Sequence, residues 1–169
     1  QQVLDFAIHF SENYDYSWLA HEIIITHKTA ITAIGAKELK IFGKEINNWG
    51  DADVFGGYLA GPAWRNGQIS DALIVSWTNS NDFWWRRIAL VCTVTLNKRS
   101  MGGQGDVPRT LKICRLLAID KDDMVVKAMS WALRELIAHD RQAVVKFIDE
   151  YDDVLAARVK REVRNKLTT

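Results

Sequence analysis

The segment that decides the fold spans residues 47–57 and reads Asn47-Asn48-Trp49-Gly50-Asp51-Ala52-Asp53-Val54-Phe55-Gly56-Gly57. Asp51 is the expected N-cap of a helix, which puts Trp49 two residues outside that helix and Asp53 in its first turn. Gly56 and Gly57 then follow Asp53 by three and four residues, on the same helix face. Two interior glycines each cost a helix about 1 kcal/mol relative to alanine. We therefore expect another helix or a ligand to approach this face closely.

Helical periodicity extends outward from this segment over nearly the whole chain, and strand-like alternation is scarce. One helix is predicted from about Ala33 to Ile46. The helix that starts near Asp51 is predicted to stop at Gly61-Pro62, because proline cannot continue the hydrogen-bond ladder. A capping cluster that ends at Asp82 predicts a helix from Phe83 to Asn97, and a later proline is expected to start another helix. The sequence thus predicts roughly ten helices in consecutive pairs.

A weak internal repeat supports this arrangement. The six-residue stretches that begin at Trp85 and Trp131 both start with Trp, contain Arg and end with Leu, and they lie 46 positions apart. This separation falls within the period of about 40–47 residues that HEAT-type helix pairs show. The predicted fold is therefore all-α, a superhelical array of HEAT-like antiparallel helix pairs with a concave face. The array is expected to form one domain over residues 1–169.

Composition limits the class of protein. With 169 residues and 48% hydrophobic residues, the chain can bury the core of one globular domain. No apolar run approaches the roughly 18 residues of a membrane span, and no signal peptide is evident, so we expect a soluble, cytoplasmic protein without a membrane partner. Because the chain begins at Gln1 without an initiator methionine, its natural start is expected to lie upstream.

The charge distribution favours one half of the chain for binding a polyanion, and the cysteines and histidines do not indicate a metal site. The formal net charge is +1, but residues 1–79 carry −4 and residues 80–169 carry +5, so the second half is the better face for a polyanion. Cys92 and Cys114 lie in apolar helical patterns, where free cysteines behave as small hydrophobic residues. No two histidines have the spacing of metal ligands on a helix. We expect inert thiols, no metal site and no cofactor.

Two charged positions are candidates for function. Asp53 is either an ordinary first-turn acid or a functional carboxylate. Arg87 falls in an apolar arc of its helix, and an arginine there must find an anion because it cannot lose its charge. That anion is either a carboxylate, such as Asp53, or a phosphate. Arg86 falls on the opposite side of the same helix.

Trp131 is the third candidate. It lies off the apolar stripe of its helix and shares a face with Lys127 and Arg134, which suits contact with a sugar or a base, although packing under the next helix is the alternative. Basic residues of the last helix form either a solvated face or a contact surface for phosphates. The remaining tryptophans, apart from Trp49, are expected in the core or between helices: Trp18, Trp64, Trp77, Trp84 and Trp85.

Three motifs together resemble the DNA alkylation repair family, the AlkD-like alkylpurine DNA glycosylases built from HEAT-like repeats. They occur in the family's order over about residues 15–165, although the chain is expected to lack the family's N-terminal helices. The motifs are Asn48-Trp49-x-x-x-Asp53, Trp84-x-Arg86-Arg87-Ile88-Ala89 and Lys127-Ala128-x-x-Trp131-x-Leu133-Arg134-Glu135.

The resemblance implies that Asp53 is the catalytic carboxylate and that Trp49 and Trp131 flank the deoxyribose of the lesion. It also implies that Arg87, with Arg86, lies beside the DNA backbone. N3- or N7-alkylation makes a purine cationic and a good leaving group, so one carboxylate can stabilise the oxocarbenium-like sugar and position water without a general acid.

The implied partner is double-stranded DNA that contains alkylated purines, bound by a monomer. The alternative is a non-catalytic HEAT-repeat scaffold that binds DNA or protein. Convergence of Asp53, Trp49, Trp131 and Arg87 on one site distinguishes the enzyme from the scaffold.

Overall fold

The computed structural model describes residues 2–13 and 17–168, and no strand occurs in these two ranges. Gln1, on which the expectation of an upstream start depends, lies outside them. The all-α repeat fold that the sequence predicted is confirmed. A π-helical segment, Phe55–Ala60, joins α5 to α6, and a short 3-10 turn, Arg99–Met101, follows α8. The α-helices are α1 Gln2–Asn13, α2 Ser17–Thr26, α3 Lys28–Ile31, α4 Ala36–Phe42, α5 Trp49–Val54, α6 Gly61–Arg65, α7 Asp71–Thr78, α8 Phe83–Asn97, α9 Val107–Leu116, α10 Asp123–Leu136, α11 Arg141–Glu150 and α12 Ala157–Thr168.

Four successive helical units stack side by side, and we call them the inner row: α5 with the π-helical segment and α6, then α8, α10 and α12. They run parallel, since contacts between neighbours advance along both helices together, as when Asp123 meets Arg158 and Ser130 meets Glu162. The connecting helices α7, α9 and α11 pack against the row. This arrangement confirms the predicted helix pairs.

The predicted period of 46 residues is wrong. Units of the inner row begin at Trp49, Phe83, Asp123 and Ala157, which are 34 to 40 residues apart. Trp85 lies near the start of α8, whereas Trp131 lies beyond the middle of α10, so the two tryptophans occupy different heights in the stack. Their similarity in sequence does not mark equivalent positions.

The core runs through α8, whose residues from Arg87 to Asn97 are all buried. Trp64 and Trp77 are core residues as predicted, but Trp18 is 52% exposed and does not belong to the core. Both cysteines are free and fully buried. Desolvation by burial raises the pKa of the Cys114 thiol to about 12.

The helix predicted to stop at Gly61-Pro62 continues to Arg65, because its backbone changes register first. The N–H of Gly61 bonds to the carbonyl of Gly56, five residues back, which is the π-helical spacing. In that register the carbonyl of Gly57 faces Pro62, which has no N–H to donate. The hydroxyl of Thr95 on α8 donates to this carbonyl instead, at 3.0 Å. A neighbouring helix thus supplies the donor that proline lacks.

The helix predicted from Ala33 to Ile46 is shorter, since α4 covers only Ala36–Phe42. Gly35 precedes it, and its N–H donates to the carboxylate of Glu38 at 2.9 Å. Gly43 ends it where a Cβ would meet the ring of Trp85 at 2.2 Å, so only glycine fits this contact. Among the described residues no helix is long and apolar enough to cross a membrane.

Candidate functional site

The helix α5 begins at Trp49, two residues earlier than predicted. Asn48 is its N-cap, because the Asn48 side chain accepts the N–H of Asp51 at 2.9 Å and its amide donates to the Asp51 carboxylate at 2.7 Å. The prediction that Asp51 caps the helix is therefore wrong. Trp49 is inside the helix, and it lies four residues before Asp53 on the same face. Its indole is 63% exposed.

Asp53 and Arg87 form a two-pronged ion pair between α5 and α8. The Nε and Nη2 atoms of Arg87 donate to the two carboxylate oxygens of Asp53 at 2.9 and 2.8 Å. The third nitrogen, Nη1, donates to the backbone carbonyl of Met124 at 2.6 Å, at the start of α10. Arg87 is 6% exposed, whereas the Asp53 side chain is 22% exposed. The anion that Arg87 requires is thus the carboxylate of Asp53.

This geometry corrects the expected position of Asp53, which is the fifth residue of α5 and not a first-turn acid. A carboxylate has about four acceptor positions, and Arg87 occupies two of them. The others remain for a water or a ligand. Bidentate pairing also fixes the plane of the carboxylate, because the guanidinium is itself planar.

The glycine face next to Asp53 is covered by protein. A Cβ on Gly56 would come within 2.9 Å of Val91 on α8, and one on Gly57 would come within 2.9 Å of the end of the Met101 side chain. Of the two expected reasons for these glycines, close approach of another helix accounts for Gly56.

Trp131 lies on the accessible side of α10, between Lys127 and Arg134. Its indole N–H donates to the carboxylate of Glu135 at 3.0 Å, and the ammonium of Lys98 lies 5.5 Å from the centroid of its ring system. The sequence reasoning did not assign a role to Lys98 or Glu135. Glu135 was detectable, since residues four apart on a helix are neighbours, but nothing in the sequence pointed to Lys98.

The two site tryptophans lie on either side of the ion pair along the shared direction of the inner row. Trp49 precedes Asp53 by one helical turn, a rise of about 6 Å. Trp131 follows Met124, which accepts from Arg87, by two turns, a rise of about 10 Å. Asp53 and Arg87 thus contact each other directly and Trp49 lies one helical turn from Asp53, whereas Trp131 stands farther along the row.

Arg86 points to a different place. Its Nε donates to the carboxylate of Asp120 at 2.7 Å, and its Nη1 donates to the carbonyls of Ser80 and Asn81 at 2.9 and 3.1 Å. These bonds tie the start of α8 to the turn before α8 and to the turn between α9 and α10. The structure therefore separates Arg86 from the Asp53–Arg87 pair.

Ion pairs also link the later helices of the inner row. Asp123 of α10 binds Lys127 and Arg158, and the hydrogen bond from Lys127 is the main reason that the pKa of Asp123 lies below its ordinary value. A hydrogen bond from the Ser130 hydroxyl does the same for the pKa of Glu162, which also pairs with Arg158. Part of the positive charge of α12 is therefore neutralised within the fold.

The glycine-rich loop after α8, residues 102–105, is held by close contacts with the rest of the fold. Gly103 packs so closely on the backbone of Asn97 and Lys98 that a Cβ would approach within 2.7 Å. Arg65 donates to the carbonyl of Met101 at 2.6 Å. His139 and the carbonyl of Asn97 form a hydrogen bond of 2.7 Å. These contacts therefore fix the position of the backbone from which Lys98 reaches Trp131.

Fold and site together define a helical-repeat protein whose inner row carries a carboxylate–arginine pair beside an exposed tryptophan. The model of the family described as DNA alkylation repair enzyme matches residues 6–167. The chain belongs to this family, and its role lies in DNA repair. No curated protein matches the sequence.

One similar solved structure is described as a predicted DNA alkylation repair enzyme from Enterococcus faecalis. It superposes with a TM-score of 0.72 at 17% sequence identity, and the match covers 96% of this chain and 75% of that chain. At this level of identity, the likeness establishes the fold alone.

Proposed function

We propose that the chain is an alkylpurine DNA glycosylase that hydrolyses the N-glycosidic bond of N3- or N7-alkylated purines in double-stranded DNA. The observation that carries the proposal is the Asp53–Arg87 pair, which presents an oriented carboxylate one helical turn from the exposed indole of Trp49. Membership of the DNA alkylation repair family supplies the class of substrate.

The chemistry asks little of the protein beyond this carboxylate. A cationic purine leaves without protonation, so the remaining task is to stabilise positive charge on the deoxyribose and to place a water molecule. Arg87 leaves about two acceptor positions of the Asp53 carboxylate open, and these would contact the sugar and the water. The ion pair keeps the carboxylate from rotating. Preorganisation of this kind lowers the barrier because no group must reorient during the reaction.

The aromatic side chains contact the DNA in this proposal. Trp49 lies on the face of α5 that carries Asp53, and Trp131 lies about 10 Å along the row from the Arg87 contact. In the proposed complex, Trp49 lies against a sugar bound beside Asp53, and Trp131 meets the DNA farther along the row. Arg87 contributes by holding Asp53, while its sequence-based role beside the DNA backbone stays a prediction. Arg86 has no part in the proposed reaction, because its hydrogen bonds go to the Asp120 carboxylate and to two backbone carbonyls.

The test is release of 7-methylguanine from alkylated duplex DNA by the wild-type chain and by Asp53→Asn. Asp149→Asn, which changes an exposed carboxylate on α11, is the matched control. We expect release by the wild type and by Asp149→Asn, and a loss of at least a hundredfold in Asp53→Asn, the effect of removing one preorganised charge-stabilising group. Equal release by wild type and Asp53→Asn would remove Asp53 from the mechanism. Binding of DNA without release by any variant would favour the scaffold.

A further inference from the structure

Two opposite charges contact the indole of Trp131, and the proposed reaction gives neither a role. Glu135 accepts the indole N–H at 3.0 Å, so its carboxylate lies at the edge of the ring system. The Lys98 ammonium lies 5.5 Å from the ring centroid. The hydrogen bond from the indole N–H to Glu135 restricts rotation of the Trp131 side chain, and the contact with Lys98 restricts it further. The side chain is thereby held in one orientation.

The backbone of Lys98 is fixed by three hydrogen bonds. Its N–H donates to the carbonyl of Val94 at 2.8 Å, and its carbonyl accepts from Met101 at 2.9 Å and from Gly103 at 3.0 Å. The place from which its side chain reaches Trp131 is therefore set by the end of α8 and by the loop that follows.

Among the described residues, Glu135 has no ion pair, unlike three other carboxylates of the inner row. Asp53, Asp123 and Glu162 all form ion pairs. Within the part of the chain that the structure describes, Glu135 forms none, and its hydrogen bond goes to the neutral indole. Its negative charge therefore remains available to act on what lies against Trp131.

We infer that Glu135 is a positioning residue that orients Trp131 and makes its indole a better contact for a cation than for a neutral group. This inference rests on the proposed function, in which the DNA against Trp131 carries a positively charged deoxyribose. A carboxylate on the N–H edge polarises the indole and strengthens the attraction between the ring and a cation. Lys98 has the opposite effect, because its ammonium repels a positively charged ligand at the same ring.

The experiment compares affinity for two duplexes that carry abasic-site analogues of the same shape. One contains a pyrrolidine ring that is protonated and cationic, and the other contains a neutral tetrahydrofuran ring. The measured quantity is the ratio of the two dissociation constants, neutral over cationic. Glu135→Gln keeps an acceptor for the indole N–H and removes only the charge, so we expect the ratio to fall about two- to fivefold, the size of a cation–π contribution at a partly exposed site.

Two further variants sharpen the result. Lys98→Met should raise the ratio, since it removes the opposing cation. Glu150→Gln, an exposed position at the end of α11, should leave the ratio unchanged. An unchanged ratio in Glu135→Gln, or an equal change in Glu150→Gln, would overturn the role of the charge.

The orientation of Trp131 is tested in the free protein by NMR of the labelled indole groups, with the Trp131 signal assigned through Trp131→Phe. Glu135→Ala should shift this signal strongly and Glu135→Gln less, and a signal that moves in neither variant would overturn the positioning role. Failure of the proposed function would give a different set of results. In that case the wild type prefers neither analogue and releases no 7-methylguanine, which overturns both proposals, whereas failure of the Glu135 inference alone leaves the release and its loss in Asp53→Asn intact.

Discussion

Removing either partner of the Asp53–Arg87 ion pair will destabilise the fold, and removing Asp53 will cost more. Breaking a buried pair from one side costs about 3–5 kcal/mol, because a charge is left without its partner. Arg87 is the more buried partner, at 6% exposure, whereas the Asp53 side chain is 22% exposed and can recover some hydration. We expect Asp53→Ala to lower the free energy of unfolding by about 3 kcal/mol. For Arg87→Met we expect about 2 kcal/mol, which includes the lost donor to the Met124 carbonyl.

The assay is urea unfolding, followed by tryptophan fluorescence, of the wild type, both single variants and the double variant. Unchanged slopes of free energy against urea are required, since a changed slope reports a different unfolded or native state. The double variant should cost less than the sum of the single variants by about 2 kcal/mol, the interaction energy expected of neighbours in one network. In a domain of this size each kcal/mol lowers Tm by about 2–4 °C.

The matched control is the surface pair of Lys44 and Glu45, whose atoms lie 3.7 Å apart with side chains 79% and 67% exposed. An exposed pair contributes about 0–1 kcal/mol, so the cycle Lys44→Met with Glu45→Gln should give almost no coupling. If the Asp53–Arg87 coupling is as small as this, the pair does not hold α5 to α8. If Arg87→Met lowers the free energy of unfolding more than Asp53→Ala does, burial does not determine which unpaired charge destabilises the fold more.

Three more predictions follow from packing and burial. Gly56→Ala should lower the free energy of unfolding by about 1–3 kcal/mol, since the added methyl would meet a branched side chain of α8, whereas Gly57→Ala meets only the end of a flexible methionine and should cost less than about 1 kcal/mol in the same urea assay. Desolvation holds the pKa of the buried His21 below its ordinary 6.5, so the unfolded chain takes up a proton first as pH falls and stability declines below about pH 6.5; His21→Gln should flatten this slope between about pH 7 and 5. Arg86→Met should lower Tm because it removes bonds to a carboxylate and two carbonyls, yet leave single-turnover base release per folded molecule unchanged; a loss of release with the folded fraction intact would instead show that this arginine contacts DNA.

Local signals were enough for the elements whose stability is local. The bounds of α8, Phe83–Asn97, were predicted correctly because Asp82 caps it and an apolar pattern runs its full length. Pro108 also lies in the first turn of α9, as predicted, where a backbone N–H has no partner within the helix. In these cases the residues that decide the helix lie within it or next to it.

The stop predicted at Gly61-Pro62 failed because the decisive residue is distant in sequence. A proline ends an α-helix when it leaves a carbonyl without a donor, and here Thr95 on another helix provides that donor. The two glycines and the Gly-Pro step were visible in the sequence, but the hydroxyl that makes a π-helical segment tolerable there depends on how α8 packs. Tertiary contact thus overrode a reliable local rule.

The candidate site shows the same division. Burial of Arg87 in an apolar arc predicted that it needs an anion, which is a statement about one helix. Which anion it meets depends on the register between α5 and α8, and that register could not be read from the sequence, since even the repeat spacing was predicted as 46 residues when it is 34 to 40. The sequence therefore left a carboxylate and a phosphate as equal alternatives until the structure paired Arg87 with Asp53.

The pairing also makes the orientation of Asp53 a property of the stacked fold. Both carboxylate oxygens accept from Arg87, and Arg87 in turn is fixed by the backbone of α10 through Met124, so three units of the inner row set the plane of one side chain. A change that shifts α8 against α5 or α10 will move the carboxylate without touching it. For the same reason a loss of activity in an Asp53 variant has two sources, the missing charge at the sugar and a destabilised row. Release measured per folded molecule separates the two, since only the first remains when the folded fraction is held constant.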